Sequence, residues 1–202
     1  YVPEQKPSEE GIQVGVIPEK RFEKLWSEDG CLIVLLGPTD IISSLKFDEA
    51  KTKSNRLCFE SERLSLQKET QETITSLEKA IQLNPDNSTA LCLLGGVLNE
   101  QNNPECVSFY EKSLEKNENC YLAYRGLGNF YLKNQQFDKS EENYTLAIKI
   151  NENRFGPIYK NRGYVRQQQN KMNEAKQDYQ NYIKFTPNAK DRGMIERALN
   201  EM

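Results

Sequence analysis

The chain has 202 residues, 37% of them hydrophobic and 28% charged, the balance of a folded, water-soluble protein with room for one domain or one repeat array plus a small appendage. It holds no histidine, which excludes Ser-His and Cys-His nucleophiles and His-ligated metals within it. The net charge of −3 is uneven: residues 1–120 carry 13 Lys/Arg against 21 Asp/Glu (−8), and residues 121–202 carry 14 against 9 (+5), so a partner that is acidic where it meets the C-terminal half is expected.

Residues 1–46 come first and stand apart from the rest. The first ten are polar and proline-bearing and read as a flexible leader. The chain opens on Tyr1 rather than Met, so something upstream is expected to have been removed: a signal, a lipoprotein leader, a tag or the rest of a longer protein. Ile12, Val14 and Val16 alternate as in a short strand that Pro18 ends. Residues 19–29 place Phe22, Leu25 and Trp26 on one helical face. The apolar run 31–36, between Gly30 and Gly37-Pro38, has the length of a buried strand and is far too short to cross a bilayer. Thr39 can cap a short helix carrying Ile41, Ile42 and Leu45. The expected result is a small strand-helix-strand unit that covers the exposed end of the larger domain C-terminal to it. Gly37-Pro38-Thr39 lacks the Gly-Lys-Ser/Thr core of a phosphate loop. Packing is favoured there over an edge-strand docking site for a peptide.

Beyond this unit the sequence repeats itself. Leu94-Gly95, Leu127-Gly128 and Arg162-Gly163 recur 33 and 35 residues apart, and a large residue stands four before each glycine: Leu91, Tyr124 and Tyr159. Eleven or twelve residues later comes a small one (Cys106, Ser140, Ala175), four further on an aromatic (Tyr110, Tyr144, Tyr179), and three beyond that Ser113, Ala147 or Tyr182. A weaker earlier copy reads Leu57, Ser61, Leu64, Thr73, Leu77 and Ala80. These spacings describe pairs of helices. The large residue, the glycine and Leu64, Leu98 or Tyr131 share one face of each first helix. The bare glycine lets the second helix approach, the small residue does the same from the other side, and the aromatic fills the space between neighbouring units. Irregular spacing falls in turns, one residue short at Gln101-Asn102-Asn103-Pro104 and one long around Asn153-Arg154-Phe155-Gly156. Pro85 and Pro187 close the first and last units. Arg162 and Arg166 stand where apolar residues are expected, which makes the fourth unit the least typical of the well-marked ones. After Pro187, Met194, Ile195 and Leu199 mark an amphipathic helix within 190–202, the cap that a solenoid needs over its last apolar face.

The pattern resembles the tetratricopeptide repeat, a helix-turn-helix unit of about 34 residues. The resemblance implies an all-α solenoid, a right-handed superhelix of antiparallel helix pairs, with the N-terminal α/β unit as an appendage. Within a domain at 47–189, units are expected at about 54–87, 88–120, 121–155 and 156–189. It also implies a protein-protein interaction module, an adaptor, co-chaperone or assembly factor, rather than an enzyme. Such a module binds a peptide segment in its concave groove, with no cofactor, no nucleic acid and no membrane span. The alternative is a structural subunit that docks through the N-terminal unit and the convex face.

Groove positions lie opposite the glycine stripe of each first helix. They read Asn55, Cys58 and Glu62, then Thr89, Cys92, Gly96 and Asn99. The third unit adds Leu122, Arg125, Asn129, Leu132 and Lys133, and the fourth Lys160, Asn161, Tyr164, Gln167 and Gln168. The groove thus turns from neutral or acidic to basic and amide-rich. Arg125, Asn129, Lys133, Lys160, Asn161, Tyr164 and Gln168 make up the expected peptide site, suited to an acidic segment or a free C-terminus. Arg125, Asn129 and Asn161 are similar to part of the carboxylate clamp with which some family members grip a partner's C-terminus. The remaining basic pair of that clamp, due near Asp191 and Ile195, is missing, and Lys190 and Arg192 fall out of register.

Five cysteines with no C-x-x-C pair are an odd count for a disulfide framework, so free thiols in a reducing compartment are expected. The cytoplasm is favoured over an exported or lipid-anchored setting. Cys106 occupies a small-residue packing position and is expected in the core, while Cys58 and Cys92, 34 apart, are expected toward the groove. Asn87-Ser88-Thr89 and Asn143-Tyr144-Thr145 match the glycosylation pattern, but the second overlaps a packed aromatic and neither carries weight.

Overall fold

A computed structural model describes residues 48–151 and 156–201, and among these residues helices follow one another with turns between them and no strand. In chain order they are α1 (Glu49–Leu66), α2 (Thr70–Leu83), α3 (Ser88–Glu100), α4 (Cys106–Lys116), α5 (Tyr121–Lys133), α6 (Phe137–Ile150), α7 (Gly156–Gln168), α8 (Met172–Phe185) and α9 (Arg192–Glu201). The strand-helix-strand unit expected over residues 1–46 lies outside the described residues.

Local chemistry sets the helix ends. Asp48 accepts the Lys51 amide at 3.0 Å to start α1, and Asn87 accepts the Ala90 amide at 3.1 Å to start α3. Each carboxylate or carboxamide oxygen satisfies a donor that the first helical turn leaves without a backbone partner. The ends of α1, α3, α5 and α7 share a different device. Lys68, Asn102, Gln135 and Asn170 adopt φ of 62°, 57°, 55° and 60°. The amide that comes after each one reaches the carbonyl five residues before it: Glu69 to Leu64 at 3.1 Å, Asn103 to Leu98 at 2.9 Å, Gln136 to Tyr131 at 2.9 Å and Lys171 to Arg166 at 2.8 Å. This is the Schellman closure, which usually uses glycine at the left-handed position. It recurs once per unit and turns the chain into four helical hairpins, α1/α2, α3/α4, α5/α6 and α7/α8.

Packing obeys the glycine and tyrosine stripes. A Cβ built on Gly95 would come within 3.0 Å of the Tyr110 ring, one on Gly128 within 2.6 Å of Tyr144, and one on Gly163 within 3.0 Å of Tyr179. Each tyrosine therefore lies against the glycine of its own hairpin. Tyr110 also wedges against the next unit, since a Cβ on Gly126 would fall 2.2 Å from its ring. The small residues Cys106, Ser140 and Ala175 are fully buried, as are Ala80, Ala90, Ala123 and Ala147. The odd helices stand side by side, with α1 touching α3, α3 touching α5 and α5 touching α7, while each even helix packs on its neighbours in sequence.

The two arginines that break the apolar pattern in α7 form an ion cluster instead. Arg162 grips Asp178 of α8 with two bonds, Nε to Oδ2 at 2.9 Å and Nη2 to Oδ1 at 2.7 Å, and gives a third to Thr145 Oγ1 at 3.1 Å. Arg166 bonds Asp178 Oδ2 at 3.0 Å and Glu141 Oε1 at 2.8 Å, and Lys171 pairs with the other oxygen of Glu141. Asp178 is buried, and its two oxygens accept three charged hydrogen bonds, which is what lets an ionised carboxylate stay inside. At the end of the array α9 lays buried Ile195 and half-buried Leu199 on the cluster of Tyr159, Tyr179 and Tyr182.

Candidate functional site

A buried phenol needs a hydrogen-bond partner, and the odd helices supply one for three of the packing tyrosines. Asn99 Nδ2 donates to the Tyr110 hydroxyl at 3.4 Å and to the Gly126 carbonyl at 3.0 Å. Tyr144 donates to Asn129 Oδ1 at 2.6 Å, and the same oxygen accepts from Asn161 Nδ2 at 3.2 Å. Tyr179 donates to Gln167 Oε1 at 3.0 Å. The amides that make the groove look amide-rich thus serve the tyrosines first. Burial pushes Tyr179 up to about 12, and it pushes Tyr110 and Tyr144 up as well.

Between α3 and α5 the row of odd helices opens into a cavity of about 340 Å³. Leu93, Leu122 and Leu132 give it apolar walls, Tyr110 underlies it, and Arg125, Asn129 and Lys133 bring donors to it. Two glycines make the room. A Cβ on Gly96 would meet only the Tyr110 hydroxyl, at 4.0 Å, while Gly126 has no space for one. Glu100 adds a carboxylate to the lining.

The expected site residues divide into two groups. Arg125, Asn129 and Lys133 line the cavity. Asn129 commits its carbonyl to Tyr144 and Asn161, which leaves its Nδ2 hydrogens to point elsewhere. Lys133 Nζ sits at the C-terminal end of α3, 2.8 Å from the Asn99 carbonyl and 3.3 Å from Asn99 Oδ1, where the helix dipole favours a cation. Asn161 stands next to Asn129 but does not line the cavity. Lys160 is ion-paired with Asp191 at 2.8 Å, and its ammonium lies 5.2 Å from the centre of the Tyr182 ring. Asp191 also accepts the Tyr182 hydroxyl, and these two bonds hold its carboxyl below the usual range. An acidic residue thus occupies the place where a clamp would have a second cation. Tyr164 and Gln168 lie on α7, away from the cavity, and Tyr164 is exposed.

The structure centres the opening on units two and three, one unit earlier than the sequence suggests. Leu93, Glu100, Tyr110 and Gly126 are the lining residues that pattern reading does not place in the groove, since it reads Tyr110 only as a packing aromatic. The signal for Gly126 was present, because it falls 34 residues after Cys92 and 68 after Cys58, a glycine where two units have cysteine. Cys58 is buried, with Asn87 Nδ2 3.7 Å from its sulfur, so it faces the next helix start rather than the groove. Cys92 does line the cavity, and Cys106 is sealed in the core. No cluster of three or more His, Cys, Asp or Glu side chains placed to hold a metal occurs among the described residues. Nor is any described helix long and apolar enough to cross a membrane.

A family model for the tetratricopeptide repeat matches residues 123–154. No curated protein matches the sequence. Among solved structures the chain is similar to PilF of Pseudomonas aeruginosa, with a TM-score of 0.69 and 15% identity over 76% of this chain and 70% of that one. It is also similar to MamA of Desulfovibrio magneticus RS-1 from position 41 to its end, with a TM-score of 0.58 and 17% identity over 69% of this chain and 79% of that one. A further MamA structure gives a TM-score of 0.59 and 16% identity over 74% and 85% of the two chains. At these identities the likeness is one of fold. The family match falls on the α5/α6 hairpin, hairpins of the same build stand on both sides of it, and the chain is thus similar to tetratricopeptide-repeat proteins in fold, with the repeat itself matched over residues 123–154.

Proposed function

We propose that this protein is an interaction module, an adaptor or assembly factor, that holds an acidic peptide segment or a free C-terminus along its odd helices. The observation that carries the reading is the convergence of Arg125, Asn129 and Lys133 on one cavity with leucine walls. A guanidinium can hold a carboxylate through two parallel bonds, and a neutral amide adds donors without repulsion. The leucines take the apolar side chain next to the acid. The cavity volume falls in the range of pockets that enclose one ligand group, and the surplus of cations in residues 121–202 favours an anionic partner. Asn161 and Lys160 extend the site toward the fourth unit only so far, because Asp191 neutralises Lys160.

The test uses acidic peptides selected by display against the intact protein. Arg125→Ala should weaken them roughly ten- to a hundredfold, the size of a lost hydrogen bond to a charged group, with helix content unchanged. Gly96→Leu should block the cavity by filling it, and added salt should weaken binding. Peptides that bind both variants as well as the wild type would remove this cavity from consideration.

A further inference from the structure

The cavity between α3 and α5 is larger than a carboxylate needs. Its volume of about 340 Å³ lies in the range of pockets that enclose a whole side chain or a small ligand. The room comes from one position of the repeat. Glu62, Gly96, Asn129 and Tyr164 each follow the small residue of their first helix, Ser61, Gly95, Gly128 and Gly163. The other units place a sizeable side chain there, and the second places none. A Cβ on Gly96 would find only the Tyr110 hydroxyl, 4.0 Å away, so a side-chain-sized gap stands open beside Tyr110. The floor of this gap is pinned. The buried Tyr110 accepts a hydrogen bond from Asn99 Nδ2 at 3.4 Å, and Asn99 Oδ1 accepts one from Lys133 Nζ at 3.3 Å. A preformed hollow of this kind costs little ordering when a side chain enters it.

We propose that this hollow is an anchor pocket for an aromatic side chain with a donor at its tip, tyrosine or tryptophan, next to an acidic residue of the partner. The inference rests on the groove reading and names its ligand more closely. The lining suits a ring better than an aliphatic chain. Leucines wall it, Tyr110 offers an aromatic neighbour, and a guanidinium such as that of Arg125 stacks on a ring face. Lys133 Nζ is committed to the Asn99 carbonyl at 2.8 Å, to Asn99 Oδ1 at 3.3 Å and to Asn102 Oδ1 at 3.5 Å. It therefore adds charge to the site, while Arg125 and Asn129 supply direct bonds to the partner's acid. Glu100 decides the tip. Its exposed carboxylate lines the same cavity and repels a ligand that is only acidic. A phenol O–H or an indole N–H gives that carboxylate a donor and turns repulsion into a charged hydrogen bond. Phenylalanine brings the ring without the donor, and leucine brings neither.

The experiment selects peptides from a randomised display library on the full chain and, separately, on its Gly96→Leu variant, whose cavity is filled. Peptides recovered only on the wild type should pair a tyrosine or tryptophan with an aspartate or glutamate. In fluorescence anisotropy, changing that aromatic to alanine should weaken such a peptide by about thirtyfold or more, the effect of losing a central anchor. Changing it to phenylalanine should cost about tenfold on the wild type and nothing on Glu100→Ala, because the lost bond is the one to that carboxylate. Gly96→Ala should weaken the aromatic peptides while leaving their alanine versions unchanged, and circular dichroism establishes that each variant is folded. Wild-type-specific peptides that carry acids but no aromatic, and that weaken on Arg125→Ala, would leave the groove reading standing and overturn the anchor. Peptides indifferent to both Arg125→Ala and Gly96→Leu would overturn both, as would a library that yields none specific to the wild type.

Discussion

Tyr144 is fully buried between two units, with its ring against Gly128 and its hydroxyl on Asn129. Tyr144→Ala should cost about 3–5 kcal/mol, since the cavity it leaves is bounded by two hairpins that cannot both collapse into it. Tyr144→Phe keeps the ring and loses one hydrogen bond, so it should cost about 1 kcal/mol. Urea melts separate the two, and an alanine variant that loses less than about 1 kcal/mol would contradict the placement. Two glycines of the cavity give a contrast of sign. Helical Gly→Ala ordinarily gains about 1 kcal/mol, and Gly96→Ala should show much of that gain because the added methyl meets only the Tyr110 hydroxyl at 4.0 Å. Gly126→Ala should instead lose about 1–3 kcal/mol, because its methyl would overlap the Tyr110 ring. The tyrosines were legible in the sequence from spacing alone. The amides were legible as groove positions but not as tyrosine partners, because Asn161 meets Tyr144 and Asn129 from the next unit, and spacing within one helix does not report such a contact.

The helix α7 shows the opposite case, in which an element looks wrong until its neighbours are known. Arg162 and Arg166 spoil its apolar stripe, and the residues that justify them, Asp178 and Glu141, lie 16 and 25 positions away on α8 and α6. The departure could be seen in the sequence, but its cause could not. Asp178→Ala should cost about 3–5 kcal/mol, because it leaves two guanidinium groups facing each other with little water. Replacing Arg162, Arg166 and Asp178 together by leucine should recover most of that loss, since apolar groups of similar volume often match a buried ion cluster. Thermal melts of the single and triple variants check both statements, and a triple variant no more stable than Asp178→Ala would refute the account. The helix ends were less legible than the helices. Gln135 and Lys68 are poor candidates for a left-handed position by residue type, and the carbonyls they help to cap appear only in three dimensions.

Across the whole molecule the tyrosines act in concert on pH stability. Burial raises Tyr110, Tyr144, Tyr179 and Tyr182, the last two to about 12, and the hydrogen bond to Asp191 reinforces the shift at Tyr182. A raised phenol keeps its proton in the folded chain at a pH where the unfolded chain gives it up. Its stabilising contribution is therefore complete below about pH 10 and is lost as pH rises through the folded values. Helix content measured against tyrosinate absorbance should show these rings ionising together with unfolding. Full ionisation of all tyrosines near pH ~10 in a still-helical protein would disprove it. The array of hairpins was the most legible level of all, because a period near 34 residues survives substitutions that blur any single unit. The left-handed turns carry one more consequence, for the way the chain reaches this fold. Each hairpin is closed by a bond spanning five residues, and the helices in substantial contact lie one or two places apart in the chain. Folding then needs only short loop closures, so any hairpin can serve as the nucleus and its neighbours can zip onto it. A further hairpin added to the array would raise its stability without slowing its folding.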